Sequence, residues 1–351
     1  MSILSNNLKI SFFGESHGKY IGLTIHNFPS NIIIDLEKIK KDLEKRSSFY
    51  PGKSKRTEAD EFEIISGYFN NKTTGTPLTI IVPNKDVKSK PYLDSIGLIR
   101  PSHGDLTQYI KYQGAHDYRG GGHLSGRLTV LYTILGSICE AQLEKQNIKV
   151  HTRIKSLHEI EDESEVVDFS RLDDNFPVSD EKVKQKMFDF LERLENDSVG
   201  GIVEAYCIGV PAGLGTPLFN SVESVISKLI FSIPGVKGIE FGKGFAITKE
   251  YGSKANDELE YQNGKLKFLS NNSGGIQGGI TNGEVINFKV ALKPTPSINK
   301  PLRTINYLTK ENVVLNTIGR HDKTFVPKAC HVIKSITAYA IYDLLLGDID
   351  G

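Results

Sequence analysis

The sequence predicts an α+β protein, and three observations lead there. Short apolar runs bounded by turn residues, at 10–13, 21–25 and 78–82, read as strands. Two longer apolar stretches, 130–139 and 329–346, read as helices, the first of them buried. Between these, strand-type and helix-type segments interleave without the regular alternation of a doubly wound sheet. No Pro/Ser-rich linker or break in composition divides the chain, so residues 1–351 are expected to form a single domain. A length prior of ~150 residues per domain would have suggested two.

In chain order, strands 10–13 and 21–25 flank Gly14-Glu15-Ser16-His17-Gly18, two glycines around three polar groups. Asp35 is placed to cap a helix carrying Leu36, Ile39 and Leu43 at helical spacing. Residues 46–59 read as a polar loop holding Arg46, Lys53, Lys55 and Arg56. Strands 62–65 and 78–82 are joined through a turn at 70–75. The stretch 159–174 carries eight carboxylates and one Arg, and it reads as a solvated loop or subunit edge. Ser179 is expected to cap the next helix, with Asp180 and Glu181 in its first turn and Val183, Met187, Phe190 and Leu194 as its core stripe. A strand at 202–208, an amphipathic helix at 221–233 ending on Pro234-Gly235, and a strand at 285–292 follow. Residues 271–283 form the most glycine-dense segment, and 319–323 precede the last helix.

Charge narrows the function. The net charge is +1, from 43 basic and 42 acidic residues, which argues against a general nucleic-acid or membrane binder. The three cysteines, Cys139, Cys207 and Cys330, show neither metal spacing nor a disulfide framework. They suit buried packing in a reducing compartment. The first residues lack a signal-peptide pattern, and uninterrupted apolar runs fall short of the ~18–20 residues that span a bilayer. A cytoplasmic protein is expected.

The chain is organised around residues 100–129, which hold three Arg, three His and the run Gly120-Gly121-Gly122. Consecutive glycines fit a close backbone approach, and with a helix starting just after, an anion on backbone N–H groups is one such visitor. A plain glycine turn among solvated charges is the alternative. Three polar groups recur in turns: Glu15-Ser16-His17, 100–105 with His103, and Arg320-His321-Asp322. Each joins a His to a carboxylate, a pairing suited to moving protons near neutral pH. Gly14–Gly18 has the outline of a serine nucleophile elbow, but a strand rather than a helix follows it. Neither a zinc-type His motif nor a dinucleotide fingerprint is present, and no metal is expected. Many of Arg46, Lys53, Arg56, Arg100, Arg119, Arg127, Lys293, Arg320 and Lys328 sit beside glycine clusters, which suggests pockets for polyanionic small molecules. Chemistry alone thus reaches an enzyme that handles phosphorylated or carboxylated ligands with His/Asp proton transfer.

These stretches resemble the chorismate synthase family along nearly the whole chain. Residues 13–18 are similar to its first signature, Arg119 to Gly122 with Ser125 and Arg127 to its second, and Gly319 to Asp322 with Val326-Pro327 to its third. Matches at 66–67 with 73–77, at 197–201, at 236–242 and at 293–297 follow in the family's order. The resemblance implies a layered β-α-β sandwich, helices between antiparallel sheets, assembled as a homotetramer. It implies a lyase that removes phosphate from 5-enolpyruvylshikimate 3-phosphate by anti-1,4-elimination, using reduced FMN without net redox change. By motif, His17 would be the acid at the departing phosphate, His103 would protonate or stabilise the reduced flavin, and Asp322 would take part in removing the C6 proton. FMN contacts are implied at His123, Leu124, Ser125, Pro234, Gly235, Gly278, Lys293, Pro294, Thr295, Pro296, Ser297 and Arg320. Ser16, Arg119 and Arg127 are implied on the substrate, and Arg46 is the remaining candidate for an NADP contact. Five positions depart from the family pattern: His123, Gly126, Leu128, Lys323 and Lys328 stand where Arg, Ala, Glu, Pro and Arg are usual. A flavin-dependent oxidoreductase and a phosphometabolite-binding protein stay open as other classes.

Overall fold

A computed structural model describes residues 2–53, 60–85, 92, 96–316 and 321–348. Five strands form the first sheet: β1 (Ile3–Ser5), β2 (Lys9–Gly14), β3 (Tyr20–His26), β4 (Glu63–Ser66) and β5 (Leu78–Pro83). All neighbours are antiparallel, in the order β1-β2-β3-β5-β4. Alternation along β5 buries Leu78, Ile80 and Val82 while their neighbours are half-exposed, as one covered face requires. Helix α1 (Leu36–Ser47) starts where Asp35 accepts from the Lys38 amide at 2.9 Å. Helices α2 (Asp105–Lys111), α3 (Thr129–Glu144), α4 (Glu181–Arg193), α5 (Val222–Ile230) and α6 (Val326–Asp348) follow.

The second sheet is also antiparallel: β6 (Lys149–Leu157), β7 (Ile160–Glu161), β8 (Gly201–Ile208), β9 (Val236–Phe241) and β10 (Ile286–Leu292), ordered β9-β10-β8-β6-β7. Helices α3 and α6 lie side by side between the sheets. Their backbones approach so closely that a Cβ on Gly136 would sit 2.3 Å from the Cα of Ser335. Toward the first sheet, the Tyr339 hydroxyl donates to the Leu8 carbonyl (3.1 Å) and Asp343 accepts from the Leu8 amide (2.7 Å). Toward the second, the Thr152 hydroxyl donates to the Cys330 carbonyl at 3.1 Å. The result is the layered β-α-β arrangement, α+β in class, with all three cysteines buried in it.

Four local expectations change. Arg46 belongs to the last turn of α1 rather than to a loop, and its side chain is only 4% exposed. Helix α4 is capped by Asp180, which accepts from the Lys182 amide at 2.7 Å, and not by Ser179. Within the acidic stretch, Asp162 is fully buried and accepts from the Ser164 and Ser179 amides, with Arg153 at 3.6 Å. Finally, the stretch Val326–Gly347 is 22 residues with mean hydropathy 1.2, long and apolar enough to cross a membrane. It continues through His331, Lys334 and Ser335, which end any uninterrupted apolar run. It is instead the core helix of this fold, with 67% of its most apolar window buried inside the protein.

Candidate active site

One cavity of about 1010 Å³ opens where the helix layer meets the turns of both sheets. It lies at the upper end of the ~300–1,000 Å³ usual for ligand pockets, with room for more than one small molecule. Ser16, His17, the end of α1, the loops 100–105 and 120–128, Pro234-Gly235, the segment after β10 and the first turns of α6 all reach it.

The turn at 14–18 and the glycine run meet directly. Ser16 N–H donates to the Gly122 carbonyl at 3.1 Å, and Gly120 has φ +63. A Cβ on Gly120 would stand 2.8 Å from the His17 ring, so the run approaches the protein's own His17 and Ser16. The His17 ring lies edge-on to Tyr92 with centroids 5.0 Å apart, and Arg100 sits 5.6 Å from the same Tyr92 ring. Arg100 is held by Asp105 at 2.7 Å, in a bidentate pair.

His103 faces the cavity from the next loop. Its Nδ1 is 3.2 Å from the Pro101 carbonyl oxygen and its Nε2 is 2.9 Å from the Ser297 hydroxyl. Burial, and then the Arg100 charge, press its pKa down to about 4. Lys293 donates to the Ser102 carbonyl at 2.7 Å and is itself lowered by burial.

At the α1/α6 side the wall is cationic. Arg46 donates to Asp60 at 3.1 Å and to the Thr129 hydroxyl at 2.8 Å, and Arg127 pairs with the same Asp60. All three are nearly buried, which ties α1, α3 and the first sheet into one frame. Lys328 stands beside them on α6, its pKa lowered to about 8 by burial and by Arg46. Asp322 is near enough to Lys53 and Lys328 to favour the charge on each. Asp322 and His321 also line the cavity.

The cavity thus brings together His17, His103 and Asp322 with Ser16, Arg46, Arg127, His123, Leu124, Ser125, Pro234, Gly235, Lys293, Thr295, Pro296 and Ser297. Pro294 and Gly278 are not on its wall; Gly278 sits in the small hairpin between Ile276–Gln277 and Ile280–Thr281, which is tied to Pro211 and Leu214. Arg119 is likewise off the wall, in a bidentate pair with Asp117 at 2.8 Å that lowers the Asp117 pKa. Arg320 falls outside the described residues. Sequence reasoning does not single out Asp60 or Tyr92; the one local signal is that Asp60 is the acid closing a basic loop.

Two of the five unusual residues, His123 and Lys323, have local accounts. His123 hydrogen-bonds the Gly14 carbonyl through Nδ1 (2.8 Å) and Ser2 through Nε2. Lys323 donates its backbone N–H to Gly52 at 2.9 Å, a bond that proline cannot make. Its ammonium also reaches the Leu191 carbonyl near the end of α4. The wall suits a polar aromatic ligand. Ser16 Oγ and Thr295 Oγ1 are buried without a hydrogen-bond partner among the described residues, while Phe12, Tyr132, Leu229, Val236 and Phe325 supply apolar surface.

A model of the chorismate synthase family matches residues 8–346. The chain is 43% identical to the chorismate synthase of Thermococcus kodakarensis over 97% of its own length and 96% of the relative's. It is 37% identical to that of Methanocaldococcus jannaschii, over 99% of this chain and 96% of the other. A crystal structure of chorismate synthase superposes with a TM-score of 0.73 and 27% identity, covering 98% of this chain and 93% of that one. A match over nearly the whole chain leaves one conclusion: the chain belongs to the chorismate synthase family, lyases that eliminate phosphate from 5-enolpyruvylshikimate 3-phosphate to give chorismate.

Proposed function

We propose that this chain performs the elimination in the 1010 Å³ cavity with reduced FMN as its cofactor, and that His17, His103 and Asp322 divide the proton work. The observation that carries the reading is the convergence of these three residues, from distant parts of the chain, on one cavity with a cationic side. Arg46, Lys53, Arg127 and Lys328 suit a substrate with two carboxylates and a phosphate worth roughly −1.5 to −2. His17, packed against Gly120, is the proton donor to the departing phosphate, because a protonated leaving group departs more easily. Asp322 takes part in removing the C6 proton. Lys293, Thr295 and Ser297 hold the flavin beside His103, and Gly235 and Val236 continue that wall. Reduced FMN, when bound, would supply an electron-rich ring.

The assay is phosphate release from 5-enolpyruvylshikimate 3-phosphate with reduced FMN under anaerobic conditions, while flavin oxidation is followed. Turnover without stoichiometric reductant is expected. One reductant consumed per chorismate would replace the lyase reading with an oxidoreductase.

We further propose that residues 1–351 act as one domain in a homotetramer, in a reducing cytoplasmic compartment. Support for assembly comes from large apolar side chains left open to solvent, among them Phe219, Phe245, Tyr251 and Tyr261 at 79–90% exposure. Light scattering on the purified chain tests it; a monomer at micromolar concentration would refute the assembly.

A further inference from the structure

The Pro101–His103–Ser297 chain fixes the hydrogens of the His103 ring. A carbonyl oxygen only accepts, so the 3.2 Å contact to Pro101 requires the hydrogen on Nδ1. In the neutral ring Nε2 then presents a lone pair, and the Ser297 hydroxyl 2.9 Å away must donate to it. Ser297 does not meet His103 by chance of a loose loop. The segment that carries it is tied down by Lys293 N–H to the Gly235 carbonyl (3.0 Å), Lys293 Nζ to the Ser102 carbonyl (2.7 Å), and the Ser198 hydroxyl to the Thr295 carbonyl (2.6 Å). Both Ser297 and His103 line the cavity.

A serine hydroxyl has one hydrogen and two lone pairs. While His103 is neutral, that hydrogen is spent on Nε2 and the oxygen can only accept from the cavity. If Nε2 takes up one proton from solvent, the new Nε2–H donates to Ser297 Oγ and the serine hydrogen is released to point outward. We propose that Ser297 is the positioning residue through which His103 addresses a ligand: it offers the cavity an acceptor when the ring is neutral and a donor when the ring is charged. No other bond changes, and the ring keeps both hydrogen bonds in either state. The groups facing His103 set the balance. Burial, Arg100 and Lys293 oppose the charge, Asp105 favours it, and an anion in the cavity adds to the favouring side. The inference rests on the reading that His103 serves the reduced flavin.

The test begins on the ligand-free protein, with nitrogen-15-labelled histidine and NMR of the ring nitrogens, using His103→Gln for assignment. At pH 7 the wild type should show hydrogen on Nδ1 and a hydrogen-bonded Nε2. In Ser297→Ala the Nε2 resonance should move to that of an unbonded acceptor, and Ser297→Thr should restore it. With substrate and reduced FMN, Ser297→Ala should lose kcat roughly 10- to 100-fold with little change in KM, and Ser297→Thr should recover most of it. An Nε2 that carries the hydrogen in the wild type, or a resonance unchanged in Ser297→Ala, overturns the inference alone. Full turnover by His103→Ala overturns the reading on which it rests, and the inference with it.

Discussion

Gly120 leaves the space that the imidazole of His17 fills: a Cβ on residue 120 would lie 2.8 Å from both Cδ2 and Nε2 of that ring, and 3.0 Å from Ser16 Oγ. With φ at +63, the position is also strained for any L side chain. Gly120→Ala should therefore displace the ring of His17 rather than merely loosen a turn. A misplacement of about 1 Å can cost ~10² in rate. Turnover should fall by about that factor while thermal stability drops only modestly. Gly252→Ala, where nothing among the described residues lies within 4 Å of the added methyl, is the control and should leave both intact. Equal effects of the two substitutions would remove the steric argument.

Asp60 carries two buried guanidinium groups, those of Arg46 and Arg127. Removing one partner of a buried ion pair leaves uncompensated charge and typically costs about 3–5 kcal/mol. Asp60→Ala should lower stability by that order in urea unfolding, and Asp60→Ala combined with Arg46→Met should recover part of the loss. If the single variant is as stable as the wild type, the frame joining α1 to α3 does not depend on Asp60.

Much of this architecture could be read from the chain. Strands in 9–14, 20–26, 78–83 and 286–292 are apolar runs between turn residues, and the Asp35 cap is a local signal. The glycine run at 120–122 likewise marks a turn that reaches the cavity, whereas the denser glycines of 271–283 belong to a hairpin away from it. What stayed hidden depends on partners far away in sequence. Arg46 reads as loop because its neighbours are polar, yet Asp60 and Thr129 draw it into the interior. Asp162 looks like one more surface acid, yet it is buried with Arg153 and three backbone amides around it. Tyr92 carries no local mark at all; its rank comes from the rings of His17 and the guanidinium of Arg100 beside it.

Acid should weaken the fold through two histidines. Burial presses His331 down to about 4, with Lys334 adding to it, and its Nε2 has no hydrogen-bond partner among the described residues. His103 is held at about 4 as well. The unfolded chain takes up these protons near pH 6.5, whereas the folded one refuses them until about 4. Their contribution is therefore complete above pH 6.5 and is lost as pH falls from 6.5 toward 4, by about 3 kcal/mol at most for each ring. Melting temperatures at pH 7.5 and pH 5 should diverge in the wild type and differ by less in His331→Gln, where only the His103 share remains. An undiminished difference in that variant would move the acid sensitivity elsewhere.

Lys328 gives the substrate site a pH limit on the alkaline side. With its ammonium pressed to about 8 by burial and by Arg46, it is a cation below that pH and neutral above it. The KM for the phosphorylated substrate should rise as pH passes 8 toward 9. Arginine stays charged through this range, so Lys328→Arg should flatten the rise, while Lys328→Met should raise KM already at pH 7 and show no further limb. A wild-type KM that is constant from pH 7 to 9 would take Lys328 out of anion binding.

His17 and Asp322 should fail in different ways. His17→Ala removes the donor for the leaving phosphate, a contribution of about 10²–10⁴ in rate, and leaves the turn around it in place. A phosphate with its second pKa near 6 is itself partly protonated as pH falls, and it needs the donor less. The defect of His17→Ala should therefore shrink between pH 8 and pH 6. Asp322 is assigned to the C6 proton, which acid does not help to remove. Asp322→Asn should show no rescue over the same range, and its rate should fall further if the remaining proton acceptor titrates. Rate–pH profiles of the two variants at saturating reduced FMN decide between them. Parallel profiles would falsify the division of roles, because a single shared proton step would then account for both residues.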